Sequence, residues 1–190
     1  MGCLDDITKS IVSDCTTQGS GGNEVKGWIF KQNELIAVYD STNPSKITSL
    51  SLPIGSQGYT FTGVKKMLNS GHDIVIEDAR ADGYTHYVGF TGFSFKSEDV
   101  ENFDALNNLV FVVESKDKTD DGDGVFRVYG IKQGLVKSSD TMRANDNYGS
   151  RIIEMATPDG QIESYSNYTF LDTDYATSLA ALEALEAVQA

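Results

Sequence analysis

The sequence predicts a mainly β protein: a β-sandwich or barrel with one flanking α-helix at about 98–108 and a C-terminal helix at about 178–189. Three observations predict this class. Short runs of β-branched and aromatic residues recur along most of the chain. Eighteen glycines against three prolines fit many tight turns rather than linkers. Apolar residues at helical spacing indicate one helix, and the Ala, Leu and Glu at the end of the chain indicate a second.

Ten segments have the composition of strands. They are 25–30, 35–39, 47–52, 60–65, 72–78, 85–95, 109–114, 125–130, 135–138 and 151–157. Within 85–95, apolar side chains fall on both alternating faces, with Phe90 on one and Phe93 on the other. We therefore expect this strand to be packed on both sides.

The first helix is predicted where Ser97 offers an N-cap and acidic residues fill the first turn, which suits the helix dipole. Val100, Phe103 and Leu106 then follow at helical spacing, so this helix should pack on the sheet.

The end of the chain is rich in Ala, Leu and Glu and has no capping glycine, so we expect a helix that can lie outside the domain. The predicted organisation is an N-terminal arm or loop (1–24), a β-sandwich domain (25–175) and a helical tail (176–190).

The charge balance excludes several classes of function. Fifteen Lys and Arg against 28 Asp and Glu give a net charge of −13. Binding to phosphate depends on cationic contacts, so sequence-specific nucleic-acid binding is not expected. No apolar run is long enough to span a membrane, and acidic residues occupy the start, where a signal peptide is basic. Cys3 and Cys15 lack histidine partners at zinc spacing and are interpreted as free thiols in a reducing cytoplasm.

An Asp-rich loop at 116–124 is the candidate metal site, with Asp117, Asp121 and Asp123 as candidate ligands. The twelfth position of an EF-hand alignment is Val128 instead of the bidentate Glu that closes such a loop. Since Asp and Gly also suit turns, the sequence favours a solvated hairpin loop and predicts no metal.

Catalytic signals are missing from the sequence. His72 and His86 are the only histidines, and no nucleophile elbow accompanies them, so each is interpreted as a half-buried polar residue. Neither a dinucleotide fingerprint nor a P-loop is present. We therefore expect no enzyme activity, no catalytic residue and no cofactor.

Two regions together resemble a known family. Their residues are Asp14-Cys15, Gly21-Gly22, Val25-Lys26-Gly27-Trp28-Ile29-Phe30 and Asn33-Glu34-Leu35 near the start, then Val125 to Leu135 and Asp146 to Met155. The pattern covers about 25–155 and resembles virion tail proteins of phages and prophages of Bacteroides-like bacteria, of the major tail or tail tube type.

The resemblance implies a β core with one flanking helix, hexameric rings stacked into a tube, and strands from six subunits forming a barrel around a DNA channel. Other virion tail proteins are the further partners it implies, and DNA would pass without specific binding. The location would be the phage tail, assembled in the bacterial cytoplasm. The loops 116–124 and 138–150 would reach neighbouring subunits. Candidate interface residues are Asp120, Gly122, Arg143, Asn145 and Tyr148.

Two alternatives remain open at this stage. A head–tail connector, terminator or tail hub ring shares the small β core and helix. A carbohydrate-binding β-sandwich is the other, with Trp28 and the nine tyrosines as a stacking platform, although aromatic residues in strands are more often part of the core.

Overall fold

The structure is a computed structural model. It describes residues 22–62, 68–76, 82–92, 96–119, 121–143, 145 and 150–189. Two sheets and two helices make up the described fold, which confirms the predicted mainly β class with a flanking helix. The predicted N-terminal arm, with both cysteines, lies outside the described residues apart from its last three positions.

Eleven strands and two helices are defined. The strands are β1 Asn23–Lys31, β2 Ile36–Tyr39, β3 Lys46–Ser51, β4 Tyr59–Thr62, β5 Asn69–Val75, β6 Gly83–Gly92, β7 Leu109–Ser115, β8 Phe126–Tyr129, β9 Val136–Met142, β10 Arg151–Ala156 and β11 Tyr168–Phe170. The helices are α1 Ser97–Asp104 and α2 Tyr175–Ala184.

The larger sheet has seven strands in the order β2-β3-β11-β8-β7-β1-β4, and the smaller has four in the order β5-β6-β10-β9. Every pair is antiparallel except β11 with β3. A tight turn joins β1 to β2 although the two lie far apart in the sheet order, with the Leu35 N–H donating to Lys31 O at 3.1 Å. The larger sheet must therefore curl strongly.

Two cores lie on opposite faces of the larger sheet, because neighbouring residues of a strand point to opposite sides. Trp28 and Phe30 of β1 enter the core that α2 covers with Leu182 and Leu185. Ile29, between them, enters the core that the four-stranded sheet covers. The larger sheet is thus the middle layer of the molecule.

The strands of the two sheets cross at a large angle. On β6, His86 contacts Tyr129 of β8, whereas Phe90 contacts Phe111 of β7 and Phe61 of β4. From His86 to Phe90, β6 advances by four residues, which is roughly 13 Å along a strand. The distance across the larger sheet from β8 to β4 is three strand spacings, or roughly 14 Å, so the two lengths match. Strand β6 therefore runs across the larger sheet, the arrangement of an orthogonal packing.

The helices differ from their predicted bounds. Helix α1 ends at Asp104, and its N-cap is Lys96 without a side-chain cap bond, so the prediction of Ser97 as the cap was wrong. Asn108, just before β7, has φ +53°, a left-handed conformation that Asn tolerates. Helix α2 begins at Tyr175 because Asp174 forms a capping box with Thr177.

The expectation that the C-terminal helix can lie outside the domain was also wrong, since Leu182 is fully buried in the core. Strand β11 was not predicted, and β9 is longer than the predicted strand at 135–138. The prediction that 85–95 packs on both sides fails for β6: Val88 and Phe90 are buried, whereas Tyr87 on the opposite face is not. Residues 93–95 lie outside the described part.

Candidate assembly interface

The four-stranded sheet has two free edges. Within the described part of the chain, β5 and β9 each pair with one neighbour only. A free edge presents unpaired backbone N–H and C=O groups, which can bind a strand of another molecule.

The two free edges run in opposite directions. Each of the three strand pairs in this sheet is antiparallel, so β5 and β9, at its two ends, point opposite ways. If β9 of one copy lies beside β5 of the next, the new pair is antiparallel too. The same contact repeated from copy to copy continues the sheet without changing its pattern, and this heterologous contact closes into a ring when the rotation allows it.

One face of this sheet is open to solvent. The buried residues Val88, Phe90, Ile153 and Met155 point into the core between the sheets, so the residues that alternate with them face outward. The outward residues are Asn69, Gly71, Asp73 and Val75 of β5, Gly83, Thr85, Tyr87, Gly89 and Thr91 of β6, Ile152, Glu154 and Ala156 of β10, and Val136, Ser139 and Thr141 of β9. Of these residues only Gly83, which lies against Ile162, is buried.

Charge on the open face is sparse and of one sign. Among its fifteen described residues, only Asp73 and Glu154 are charged, and both are exposed carboxylates. Neither Lys nor Arg occurs among them. The face therefore carries a negative potential and offers no cation to a phosphate group.

The cationic residues of the same sheet point the other way, toward α1. Arg151 Nε donates to Asp140 Oδ1 at 2.7 Å, and its guanidinium also reaches Asp104 of α1 at 2.6 Å. Lys137 Nζ lies 2.9 Å from Asp140 Oδ2. Hydrogen bonds from Arg151, followed by those from Lys137, lower the pKa of Asp140 to about 2. This network fixes α1 under the sheet and neutralises the cations there.

Each free edge also exposes one large apolar side chain on the core-facing side. Ile74 of β5 is 59% exposed and Met142 of β9 is 52% exposed. Their partners in the sheet, Tyr84 and Arg151, show that both point toward the larger sheet. An edge-to-edge contact between copies would cover both.

His86 is fully buried, not half-buried as predicted, and backbone groups engage both ring nitrogens. The Gly130 N–H donates to Nδ1 at 3.1 Å, and Nε2 lies 2.8 Å from Tyr165 O, which fits a neutral ring with its proton on Nε2. Burial lowers the pKa of His86 to about 4. The ring joins three segments and has no nitrogen left for proton transfer. His72 is exposed at the β5 edge.

Glu163 is a fully buried carboxylate beside the same junction. Its Oε1 accepts from the backbone N–H groups of Lys132 at 3.1 Å and Gln133 at 3.0 Å. Its Oε2 and the hydroxyl of Tyr168 are buried without a hydrogen-bond partner in the described part. Burial raises the pKa of Glu163, although the two N–H donors oppose the change. The carboxylate fixes the turn between β8 and β9.

The Asp-rich loop is a poor cation site in its described residues. Asp117 and Asp121 are exposed, and Asp123 Oδ2 lies 3.7 Å from Lys46 Nζ. Among the described residues, no three His, Cys, Asp or Glu side chains group closely enough to hold a metal ion. Asp120 lies outside the described part.

Of the five predicted interface residues, the structure describes Gly122, Arg143 and Asn145. Gly122 is buried within the chain: its φ is +79°, and a side chain there would meet the backbone nitrogen of Tyr175 at 2.9 Å. Packing against α2 explains this glycine and removes it from the interface candidates. Arg143 and Asn145 are exposed near the end of β9, and Tyr148 lies outside the described residues.

A cleft of about 500 Å³ opens between α1 and β4. Its lining includes Ile29, Tyr59, Phe61, Phe90, Phe103 and Leu106. The volume falls in the range of small-molecule pockets. Lys31 is the one charged residue in its lining, and its Nζ is paired with Glu34 Oε1 at 2.9 Å. Thr60, Asn102 and Asn107 also line the cleft, so its polar groups other than Lys31 are uncharged.

The sequence predicts an interface in loops and does not mark the free edges of the four-stranded sheet. The composition of a strand says little about its neighbours, so no local signal marks β5 or β9 as an edge. The one usable signal was the polar composition of β9, whose sequence Val136-Lys137-Ser138-Ser139-Asp140 does not suit a central strand.

In the part of the chain that the structure describes, no helix has the length and apolar character needed to cross a bilayer. Compared with known proteins, the chain matches no family model, and neither a curated protein nor a solved structure gives a significant match.

Proposed function

We propose that this chain is a structural subunit that assembles with copies of itself into rings, and that the rings form a phage-type tail tube through which DNA passes. The observation that carries the proposal is the four-stranded sheet. It has two free edges of opposite direction and an open face on which the only charges are carboxylates.

The edges supply the contact that closes the ring. Pairing β9 of one copy with β5 of the next satisfies backbone groups that are otherwise unpaired among the described residues. The same contact covers Ile74 and Met142, which removes apolar surface from water. Every copy uses the same two edges, so the chain needs no other protein to close the ring.

The open face supplies the channel lining. Six copies, the number that the family resemblance implies, contribute 24 strands. Strands spaced ~4.8 Å apart and tilted by ~40° close such a barrel at a backbone diameter of about 50 Å. Barrels of about 16–18 strands already enclose an aqueous channel. Asp73 and Glu154 would line it and repel DNA phosphates, so DNA would slide without sticking.

This function places the chain in the phage tail, with other tail proteins as partners and with assembly in the host cytoplasm. It assigns the chain no catalytic residue, cofactor or metal. The DNA contact is a transient passage and requires no base-specific binding.

A connector, terminator or hub ring is the closest alternative, because it uses the same ring contact. The difference is stacking: tube subunits polymerise lengthwise, and connectors stop at one ring.

The carbohydrate-binding alternative loses its main support. Trp28 is fully buried in the core, and its Nε1–H donates to Glu186 Oε1 at 3.0 Å. A sugar cannot stack on a ring in that position. The interpretation of Trp28 as a binding platform was therefore wrong.

Negative-stain electron microscopy of the purified full chain, with particle mass from analytical ultracentrifugation, tests the proposal. We expect rings of uniform diameter at high protein concentration. Material that stays monomeric at every concentration and ionic strength tried would refute it.

Two variants locate the contact. Ile74→Lys on β5 and Met142→Lys on β9 place a charge on exposed side chains at the two edges, so each should abolish rings and leave a folded monomer. Val188→Lys is the matched control, since Val188 is 59% exposed beyond α2 and far in sequence from both edges. Rings that survive both edge variants would exclude the β5–β9 contact.

A further inference from the structure

Residues 185–189 follow α2 and turn back onto loop 52–58, which joins β3 to β4. Three backbone hydrogen bonds form the contact. They run from the Gly58 N–H to Leu185 O at 2.7 Å, from the Gly55 N–H to Gln189 O at 2.9 Å, and from the Gln189 N–H to Ser56 O at 2.9 Å. We refer to residues 185–189 as the clasp.

Two glycines let the loop fit against the clasp. Gly55 has φ +86°, a left-handed conformation that favours glycine. A side chain at Gly58 would collide with the ring of Phe30 and would lie 3.1 Å from Leu185 O. The loop therefore packs directly on Phe30, which is fully buried in the core that α2 covers.

A carboxylate fastens the clasp to β1. Glu186 Oε1 accepts hydrogen bonds from Lys26 Nζ at 2.8 Å and from Trp28 Nε1 at 3.0 Å. Lys26 Nζ also lies 5.0 Å from the centre of the Trp28 ring. The bond from Lys26 is the main cause that lowers the pKa of Glu186, so this side chain is a charged acceptor at neutral pH. Hydrogen bonds to a charged group are stronger than those between neutral groups.

The clasp lies where four strand ends meet. Strand β1 ends and β2 begins at a tight turn, in which the Leu35 N–H donates to Lys31 O at 3.1 Å. Hydrogen bonds from Lys31 and then from Ser56 lower the pKa of Glu34, so the loop between β3 and β4 lies beside this turn. Within the described part of the chain, β2 and β4 do not pair with each other. The clasp and the loop therefore hold this end of the larger sheet together.

The clasp has little buried surface of its own. Leu185 is its one buried residue, and Val188 is 59% exposed. All seven positions of β7, in contrast, are buried. Segments with few buried apolar contacts open at a lower free energy than the core of a domain.

We infer that the clasp and loop 52–58 open together as one unit while α2 and the two sheets stay folded, and that the closed clasp shields this end of the larger sheet from other copies. The contacts of the clasp described above lie within one copy, so the inference does not depend on the proposed ring.

Opening of the clasp has a direct consequence for association. It uncovers Phe30 and leaves β4 attached to the larger sheet through β1 alone. Exposed apolar surface and loosely held strand edges promote contact between copies. A closed clasp therefore favours the specific contact of the proposed ring over association of undefined size.

Hydrogen exchange of the full chain, followed by NMR, tests the opening. The probes are the three N–H groups that form the contact, those of Gly55, Gly58 and Gln189. Glu186→Ala removes the charged acceptor, so all three should exchange faster by one common factor of at least about tenfold. Unequal factors at the three groups would overturn the single unit.

Glu183→Ala is the matched control on the same helix. The side chain of Glu183 is 54% exposed and lies 3.6 Å from Lys26 Nζ, so its loss should change the three rates by less than about fivefold. Equal acceleration by Glu183→Ala and Glu186→Ala would show that the Glu186 carboxylate does not fasten the clasp.

A variant in the other core separates local opening from global unfolding. Met155 is fully buried between the two sheets, so Met155→Ala should lower the urea midpoint of the whole chain. This core stays closed when the clasp opens, so exchange at the three N–H groups should remain at the wild-type rate. Acceleration of these groups by Met155→Ala would show that they exchange only on global unfolding, and would overturn the inference.

Sedimentation velocity tests the shielding. Glu186→Ala should add species of broad, concentration-dependent size that the wild type and Glu183→Ala lack. Faster exchange in Glu186→Ala together with a wild-type sedimentation profile would overturn the shielding role. The presence or absence of wild-type rings bears on the proposed function alone, because the ring contact uses β5 and β9.

Discussion

The imidazole of His86 accepts a hydrogen bond from the backbone N–H of Gly130, with Nδ1 and N 3.1 Å apart. The bond joins the four-stranded sheet to the turn after β8, because His86 lies on β6 and Gly130 follows Tyr129. It requires an unprotonated Nδ1, so the neutral ring is part of the folded structure.

This bond predicts a loss of stability in mild acid. Burial lowers the pKa of His86 to about 4 in the folded chain, below the ordinary value of 6.5. The unfolded chain therefore binds a proton first as the pH falls, and stability present above pH 6.5 is lost between about pH 6.5 and 4. We expect a loss of about 3 kcal/mol across this range, measured by urea unfolding. His86→Gln should remove most of this slope, and an unchanged slope would contradict the assignment.

The burial of Glu163 predicts the opposite dependence of stability on pH. Burial raises its pKa in the folded chain, so the folded state holds the proton more tightly, and its contribution to stability falls as the pH rises through the folded pKa. Glu163→Gln keeps an oxygen for the N–H groups of Lys132 and Gln133 and removes the charge. It should raise the free energy of unfolding at pH 7 by about 1 kcal/mol. Glu163→Ala leaves two donors unpaired and should lower it by about 2 kcal/mol.

A stability gain for Glu163→Gln that persists unchanged at pH 3 would contradict this account, because the wild-type carboxyl is protonated there and the two side chains are then equivalent in charge. Urea unfolding at pH 3 and pH 7 provides the comparison.

The central strands were predictable from the sequence because a strand buried on both faces is a continuous run of apolar residues. Strand β7 is buried at all seven positions, and its run Leu109-Val110-Phe111-Val112-Val113 admits no solvent-facing residue. Strand β1 carries a similar run, Trp28-Ile29-Phe30. The helix α2 was predictable from its composition, but its burial was not, since a leucine-rich helix reads the same inside or outside a core.

Other features depend on distant neighbours. Strand β11 has three residues, and pairing with β8 and β3 makes it a strand. The burial of Glu163 depends on a turn 30 residues away. Nothing in the local sequence distinguishes this residue from the other Asp and Glu among the 28 in the chain. The free edges of both sheets follow from strand order, which long-range pairing decides.

The ion pair between Arg151 and Asp140 predicts a second acid-sensitive contribution. Hydrogen bonds from Arg151 and Lys137 lower the pKa of Asp140 to about 2, so its contribution is present above the ordinary value of 3.8 and is lost as the pH falls toward 2. Asp140→Asn should cost about 2 kcal/mol at pH 7 and nothing below pH 2. Asp104→Asn is the control. Its side chain is 62% exposed, so its loss should cost less than about 1 kcal/mol.

The packing of α2 predicts that the C-terminal helix is required for folding of the domain. Leu182 is fully buried among Trp28, Phe30 and the other residues of that core. Leu182→Ala should therefore cost about 2–5 kcal/mol in urea unfolding. Val188→Ala, at a position 59% exposed, should change stability by less than about 0.5 kcal/mol. Equal costs for the two would contradict the placement of α2.

The sign of the charge on the open face makes the most direct prediction about function. Glu154 is exposed at the centre of the four-stranded sheet, and its neighbours Gly89 and Ser139 carry no charge. Glu154→Lys would place a ring of cations inside the proposed channel without touching an edge strand, so assembly should continue. Duplex DNA should then be retained by the assembled particles, with an affinity that falls steeply with salt, because cations that neutralise phosphates release counterions.

Glu101→Lys on α1 makes the same change in net charge at an exposed position away from this face, and it should leave DNA retention at the wild-type level. Equal retention by the two variants in a salt-dependent filter-binding assay would show that net charge, not the position of Glu154, governs DNA contact, and that this face does not line the channel.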